Sequence, residues 1–323
     1  MRETPGIFHP PPLRRLRLSH RGSTLPAEMT AADPDPQPFV RIGPERPVSP
    51  VILSVPHAGR DYRPSLLAAA RLPRHVLETL EDRLVDRLIW RAAEAGATAF
   101  VARAPRAEID LNRDEREIDP ALIAPALPSS SIVHSIRARG GIGLIPSRIT
   151  GAGAIWRGRI AQAELARRVE TIHRPYHAAI AAALEDARDR FGAAILLDCH
   201  SMPPRPRSAG QGTAAGQAMV VFGDRHGATI AADCRDAAVS AARRLGYPTT
   251  CNMPYAGGYI VARHGRPERG VHALQMEIDR SAYLDASLRS PGPGFAGACR
   301  LVAEVVASLE DRLFGSARDM AAE

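Results

Sequence analysis

A chain of 323 residues, 45% hydrophobic and 24% charged, can bury a large core and has the composition of an ordinary globular enzyme. Its net charge of +7 rests on arginine alone, since the sequence has no lysine, and apart from Arg14-Arg15 and Arg17 the arginines are scattered with few aromatics between them, so nucleic-acid binding is not expected. No apolar run approaches the roughly 20 residues of a membrane span, and four cysteines (Cys199, Cys234, Cys251, Cys299) without CxxC spacing suggest buried thiols in a reducing, cytoplasmic setting.

Residues 1–37 carry Pro10-Pro11-Pro12 and Asp33-Pro34-Asp35-Pro36, bury little, and are expected to be disordered. They lack the apolar core of a secretory signal, and Met29 is an alternative start. Val51-Ile52-Leu53-Ser54-Val55 reads as a buried strand with Pro56-His57-Ala58-Gly59 at its tip. Leu77, Leu80, Leu84, Leu88 and Ile89 predict a helix over about 74–95, bearing Glu81, Asp82 and Asp86. Ala97 to Ala102 is a second apolar strand, followed by the polar cluster 108–114.

Residues 115–155 are rich in Pro, Gly and Ser, a loop long enough to suggest function, with Arg139 and Arg148 flanking its glycines. A helix is predicted over 159–190, with a boundary or kink at Pro175. Gly192 reads as its left-handed cap, before a buried run, Ala193 to Leu197, that ends in Asp198-Cys199-His200-Ser201. After a flexible loop from Pro203 to Gly216 come a strand over 218–223, a helix over 228–245, and a strand over 271–280 ending in acid and base. A helix over 294–313 closes the chain. The alternation predicts an α/β fold, a three-layer α/β/α sandwich on a mixed, mostly parallel sheet, in a single domain over 38–316 with a tail at 317–323.

Polar residues at the carboxyl ends of such strands lie where open α/β sheets bind ligands. His57 and His200 are therefore candidate ligands for zinc, which takes imidazoles and a carboxylate and leaves room for water. Asp82 is preferred as the third ligand over Glu81 and Asp86, and Asp86, one turn on, would support a ligand from outside. Glu277 fits a general base, because apolar surroundings raise a carboxyl pKa, and Arg113 fits a cation for substrate carboxylate or oxyanion. The structural alternatives are ion pairs of Glu277 with Arg280 and of Arg113 with Asp110 or Asp114. His173 and His177 stand one turn apart but lack an HExxH glutamate, so they read as core or surface histidines. Ser201 lacks a nucleophile elbow, and no nucleotide-binding glycine motif is present.

Six motifs occur in order: Ser-Val-Pro-His-Ala-Gly (54–59), Glu-Asp-Arg-Leu-Val-Asp-Arg-Leu (81–88), Ile-Asp-Leu-Asn-Arg (109–113), Asp-Cys-His-Ser-Met-Pro (198–203), Asn-Met-Pro-Tyr-Ala-Gly-Gly-Tyr-Ile (252–260) and Leu-Gln-Met-Glu-Ile-Asp-Arg (274–280). Together, over about 39–313, they resemble the N-formylglutamate amidohydrolase family. The resemblance implies a metal-dependent hydrolase that splits N-formyl-L-glutamate into formate and glutamate in bacterial histidine degradation. It also implies a fold related to zinc carboxypeptidases and aspartoacylases. Carried over, His57 and His200 bind metal, Asn112 and Arg113 bind substrate, and Glu277 is the base. Gly257 and Gly258 join the substrate-binding set, Arg148 and Arg280 are further candidates for the glutamate carboxylates, and Asp198 supports a ligand from outside. Two departures stand out: Arg60 occupies the place of the carboxypeptidase ligand glutamate, and Glu81-Asp82-Arg83 stands where Thr-Asp-Trp is expected. A deacylase of another N-acyl amino acid or a muropeptide, and a metal-free binding protein, are the alternatives. The expected partner is a small acidic N-acyl amino acid, and a homo-oligomer is compatible with the sequence.

Overall fold

Four buried parallel strands form the middle of a seven-stranded sheet, in the computed structural model that describes residues 37–204 and 218–320, with side chains to residue 314. The strands are β1 (Phe39–Ile42), β2 (Val51–Val55), β3 (Thr98–Ala102), β4 (Ala194–Met202), β5 (Val220–Gly223), β6 (Thr249–Cys251) and β7 (Val271–Asp279). Their order is β1-β3-β2-β4-β7-β5-β6. The β3-β2-β4-β7 block and the β5-β6 pair are parallel, while β1 on β3 and β5 on β7 are antiparallel. This is the mixed, mostly parallel sheet expected. The expected disordered segment, apart from Gln37, and most of the Pro203–Gly216 loop lie outside the described residues.

Because side chains alternate across a strand, the sheet has two faces, each covered by its own helices. One face carries Val51, Leu53, Val55, Ile195, Leu197, Leu274 and Met276, packed against α2 (Ala232–Arg244) and α4 (Phe295–Met320). The stripe Ala298, Leu301, Val302, Val305, Val306 and Leu309 on α4 is fully or nearly fully buried at helical spacing. The other face carries Ile52, Leu196 and Ala273, packed against Tyr176, Ile180, Leu184 and Ala187 of α1 (Arg174–Phe191). The result is the predicted three-layer sandwich. A short helix, α3 (Tyr259–His264), was not visible in the sequence reading.

The predicted 74–95 helix is broken. A helical turn at Arg74–Leu77 passes through Glu78–Leu80 into extended Glu81, and helix resumes only at Val85–Leu88 and Trp90–Glu94. Leu84 sits in the left-handed region at φ 62, a conformation disfavoured for a residue with a Cβ. The long helix before β4 is instead continuous through Pro175. Gln162–Arg168 runs through one π-helical turn, Val169–His173, into α1, and the wider turn admits the proline ring without ending the helix. Gly192 caps it at φ +83, as read from the sequence. The closing helix, α4, runs on to Met320, past the predicted end at 313.

Candidate metal centre and active site

β2 pairs with β4 only as far as Ser54 opposite Asp198, whereas β4 and β7 continue together to Met202 opposite Asp279. The step where β2 stops makes the site. His57 follows the end of β2, and His200 lies within β4, not beyond it, with Glu277 as its register partner on β7. Ser54, Asp198, His200, Gln275 and Glu277 all alternate onto the sheet face that α1 covers further back. Asp82 enters from the helix break, where its N–H donates to the His57 carbonyl at 2.9 Å. An unbroken helix would not deliver it there. That also corrects the expected relation of Asp86 to Asp82: Asp86 lies in the next helical segment, bonds Arg60, and leaves Oδ1 buried without a partner among the described residues.

His57, Asp82 and His200 converge, each only 2% exposed. Their facing atoms form a triangle: His200 Nδ1 to Asp82 Oδ2 3.0 Å, His200 Nδ1 to His57 Nδ1 3.1 Å, and His57 Nδ1 to Asp82 Oδ2 3.3 Å. Ligands at ~2.0–2.1 Å around a tetrahedral zinc stand about 3.3 Å apart. The far nitrogens decide the protonation. His57 Nε2 donates to Asp110 Oδ1 at 2.7 Å, and His200 Nε2 donates to Asp198 Oδ2 at 2.8 Å. With those N–H bonds spent on carboxylates, each ring in its neutral, ligating form presents an Nδ1 lone pair inward beside an anionic oxygen. Two imidazole nitrogens and a carboxylate oxygen facing one another at these distances are a donor set that could hold a divalent metal, so the residues present fit one.

Charge is balanced around this centre. Burial acts to raise the Asp82 pKa, but the two imidazoles that face its Oδ2, His200 first and then His57, hold it well below the usual carboxylate value. Burial likewise opposes charge on His200, yet Asp198 and Asp82 raise its pKa well above that of free imidazole, the demand for positive charge that a metal would meet. Asp110 is buried too, and Arg106 and Arg113 keep it well below its ordinary range. Arg280 donates from Nη2 to the Glu81 carbonyl (2.6 Å) and Asp82 Oδ1 (3.2 Å), and from Nε to Ser201 Oγ (3.1 Å). It therefore holds the Asp82 carboxylate in place, and the alternative in which it pairs with Glu277 is not what forms.

Burial pushes Glu277 up to about 7, opposed first by His200. Its Oε1 accepts from Gln275 Nε2 at 2.9 Å. The Gly258 N–H donates to Gln275 Oε1 at 2.7 Å, which fixes which end of that amide is oxygen and so which end faces Glu277. Asn112 is similarly committed: Oδ1 accepts from Ile260 N at 2.8 Å, and Nδ2 lies 3.3 Å from both His200 Nε2 and Gln275 Oε1. A Cβ on Gly258 would fall 2.3 Å from the Asn112 amide, so only glycine lets this loop close against it. Arg113 donates to the Ile142 and Asn112 carbonyls at 2.8 and 2.7 Å and stands 3.9 Å from Asp110, so burial lowers its pKa.

These groups line a cavity of about 360 Å³ that also takes in Gly257, Ser201, Arg106 and Arg137. Arg148 is not among its lining residues; it sits exposed on a two-residue strand, paired with Ala154. The sequence reading missed Asp110, Gln275, Arg106 and Arg137. Gln275 had a signal, since it shares the parity of Glu277 along β7. His173 and His177 lie outside the centre and brace it, their Nε2–H groups donating to the Arg113 and Leu111 carbonyls at 2.8 and 3.0 Å.

The description "N-formylglutamate amidohydrolase" belongs to the family model that matches residues 49–284. The chain is 29% identical over 240 residues to the N-formylglutamate deformylase of Pseudomonas aeruginosa, covering 73% of this chain and 82% of that one. The enzyme of the same name from Pseudomonas putida is 28% identical over 243 residues with the same coverage. Among solved structures, an N-formylglutamate amidohydrolase from Ralstonia eutropha superposes with a TM-score of 0.79 at 32% identity, over 87% of this chain and 99% of that one. A gene product of Agrobacterium tumefaciens shares the fold at a TM-score of 0.53 and 16% identity, over 85% and 96% of the two chains.

Proposed function

The chain belongs to the N-formylglutamate amidohydrolase family, and we propose that it hydrolyses N-formyl-L-glutamate to formate and L-glutamate. The observation that carries this reading is the convergence of the His57, Asp82 and His200 donors beside the buried carboxyl of Glu277. A divalent ion held by those three, zinc by the chemistry of the donors, would supply Lewis acidity and lower the pKa of water toward ~7.

The remaining work falls to side chains. Gln275 holds Glu277 through Oε1, which leaves Oε2 without a partner among the described residues to receive a proton from the attacking water. A carboxyl poised near 7 can take that proton and return it to the departing amine as the formyl C–N bond breaks. Arg113, held by backbone carbonyls and not by a carboxylate at bonding distance, has donors left for a substrate carboxylate. Asp110 and Asp198 fix the imidazoles, and Arg280 fixes Asp82. In this reading residues 38–316 are the catalytic domain and the reaction is a cytoplasmic step of histidine breakdown.

The test is formate release from a panel of N-formyl, N-acetyl and N-succinyl amino acids with added zinc. N-formyl-L-glutamate is expected to give the highest kcat/KM; a clear preference for another acyl group would reassign the substrate, and no turnover of any member would remove the reading.

A further inference from the structure

We propose that Arg137 is the residue that selects an acidic amino-acid half, by pairing with the second carboxylate of the substrate; this rests on the deformylase reading above. Four arginines line the cavity: Arg106, Arg113, Arg137 and Arg280. Two are committed to protein partners and a third is partly so. Arg106 gives Nε and Nη2 to Asp110 Oδ2, each at 2.9 Å. Arg280 is spent on Asp82, Ser201 and the Glu81 carbonyl. Arg113 is anchored on two backbone carbonyls, with donors remaining for one carboxylate. Arg137 has neither a hydrogen-bond nor an ion-pair partner for its guanidinium among the described residues, and its side chain is exposed.

Its backbone, by contrast, is fixed. Ser135 caps the helical turn Ile136–Arg139 by accepting from Ala138 N at 2.9 Å, and its Oγ donates to Glu117 at 2.6 Å. The Arg137 carbonyl accepts from Ile142 N at 2.9 Å, and the Ile142 carbonyl accepts from Arg113 Nε. One residue, Ile142, therefore ties both arginines to the same wall of the cavity. The cavity's own acids give Arg137 no partner: Asp82 faces the two histidines and Arg280, and Glu277 faces Gln275. Arg137 lies near enough to Arg113 to add, after burial and Arg106, to the lowering of its pKa, and an anion that joins the two relieves that repulsion. A substrate with one carboxylate satisfies Arg113 alone, whereas a dianion satisfies both. Arg137 thus separates glutamate from its neutral isostere, glutamine.

The experiment compares zinc-loaded wild type, Arg137→Gln and Arg137→Lys on N-formyl-L-glutamate and N-formyl-L-glutamine, with calorimetric binding of L-glutamate and L-glutamine as a readout free of turnover. The loss of one charge-assisted pair predicts a roughly 10–100-fold fall in the glutamate-over-glutamine preference of R137Q, carried by KM, with weaker L-glutamate binding and partial recovery in R137K. Wild-type preference in R137Q, or an equal loss on both substrates, overturns the assignment while leaving the deformylase reading intact. A wild type inactive on both substrates overturns that reading and the assignment with it.

Discussion

Glu277 is a carboxyl whose chemistry is set by one neighbour amide and by its distance from water. Replacing it with Gln preserves shape and the three metal donors but removes the proton acceptor, so metal content should stay at the wild-type level while kcat falls on the order of 10²–10⁴-fold. Metal analysis alongside steady-state kinetics checks both halves. Gln275 acts through Glu277, so Gln275→Leu is expected to lower kcat about tenfold, with a smaller change in KM, while Gln275→Asn, which keeps an amide, recovers part of the loss. Equal losses in both variants would show that the amide is not what matters. His57 and His200 were legible in the sequence because each closes a buried run, and Asp82 because a carboxylate was needed nearby. Asp110 was not legible as the support of His57, since an Asp three residues from Arg113 reads as its ion-pair partner. Contact with His57 joins segments 53 residues apart, which local spacing does not encode.

At the scale of elements, irregularities place the chemistry. The leucine spacing over 77–89 predicts one helix, yet Glu81 turns extended, tied by its side chain to Tyr62 and Arg83, and the resulting break carries Asp82 inward. Periodicity reports which face is buried and not whether the backbone stays helical. The loop closing over the site depends on close approach, so Gly258→Ala should displace Asn112 and reduce both activity and thermal stability, measurable by kinetics and calorimetry. The brace of His173 and His177, extended by His264, whose Nε2 lies 3.0 Å from His177 Nδ1, carries a pH signature. Burial, with Arg263 and Arg266, lowers His264 to about 3, so in the window between about 6.5 and 3 the unfolded chain binds a proton that the folded chain does not. Its contribution is complete above about 6.5 and is lost as pH falls, by about 2 kcal/mol at pH 5. Denaturant titrations at pH 8 and pH 5 should show this loss in wild type and a smaller one in His264→Gln; identical pH slopes would contradict it.

For the whole molecule, strand and helix alternation was enough to foresee three layers, because runs without alternation must be covered on both faces. The outer strands β1 and β6, four and three residues long, escaped notice, being too short to show a period and defined only by their partners β3 and β5. The sheet order was likewise beyond local pattern, yet it puts β2, β4 and β7 side by side and so brings His57, His200 and Glu277 together. No helix among the described residues is long and apolar enough to cross a membrane. The central claim, a cation held by His57, Asp82 and His200 that is required for amide hydrolysis, is tested most directly by metal stoichiometry measured on the same samples as turnover. Wild type should carry one zinc-class ion per chain and release formate from N-formyl-L-glutamate, while His200→Ala and Asp82→Asn lose both together. Full metal content and turnover in His200→Ala, or unimpaired turnover by wild type stripped of metal, would contradict the account.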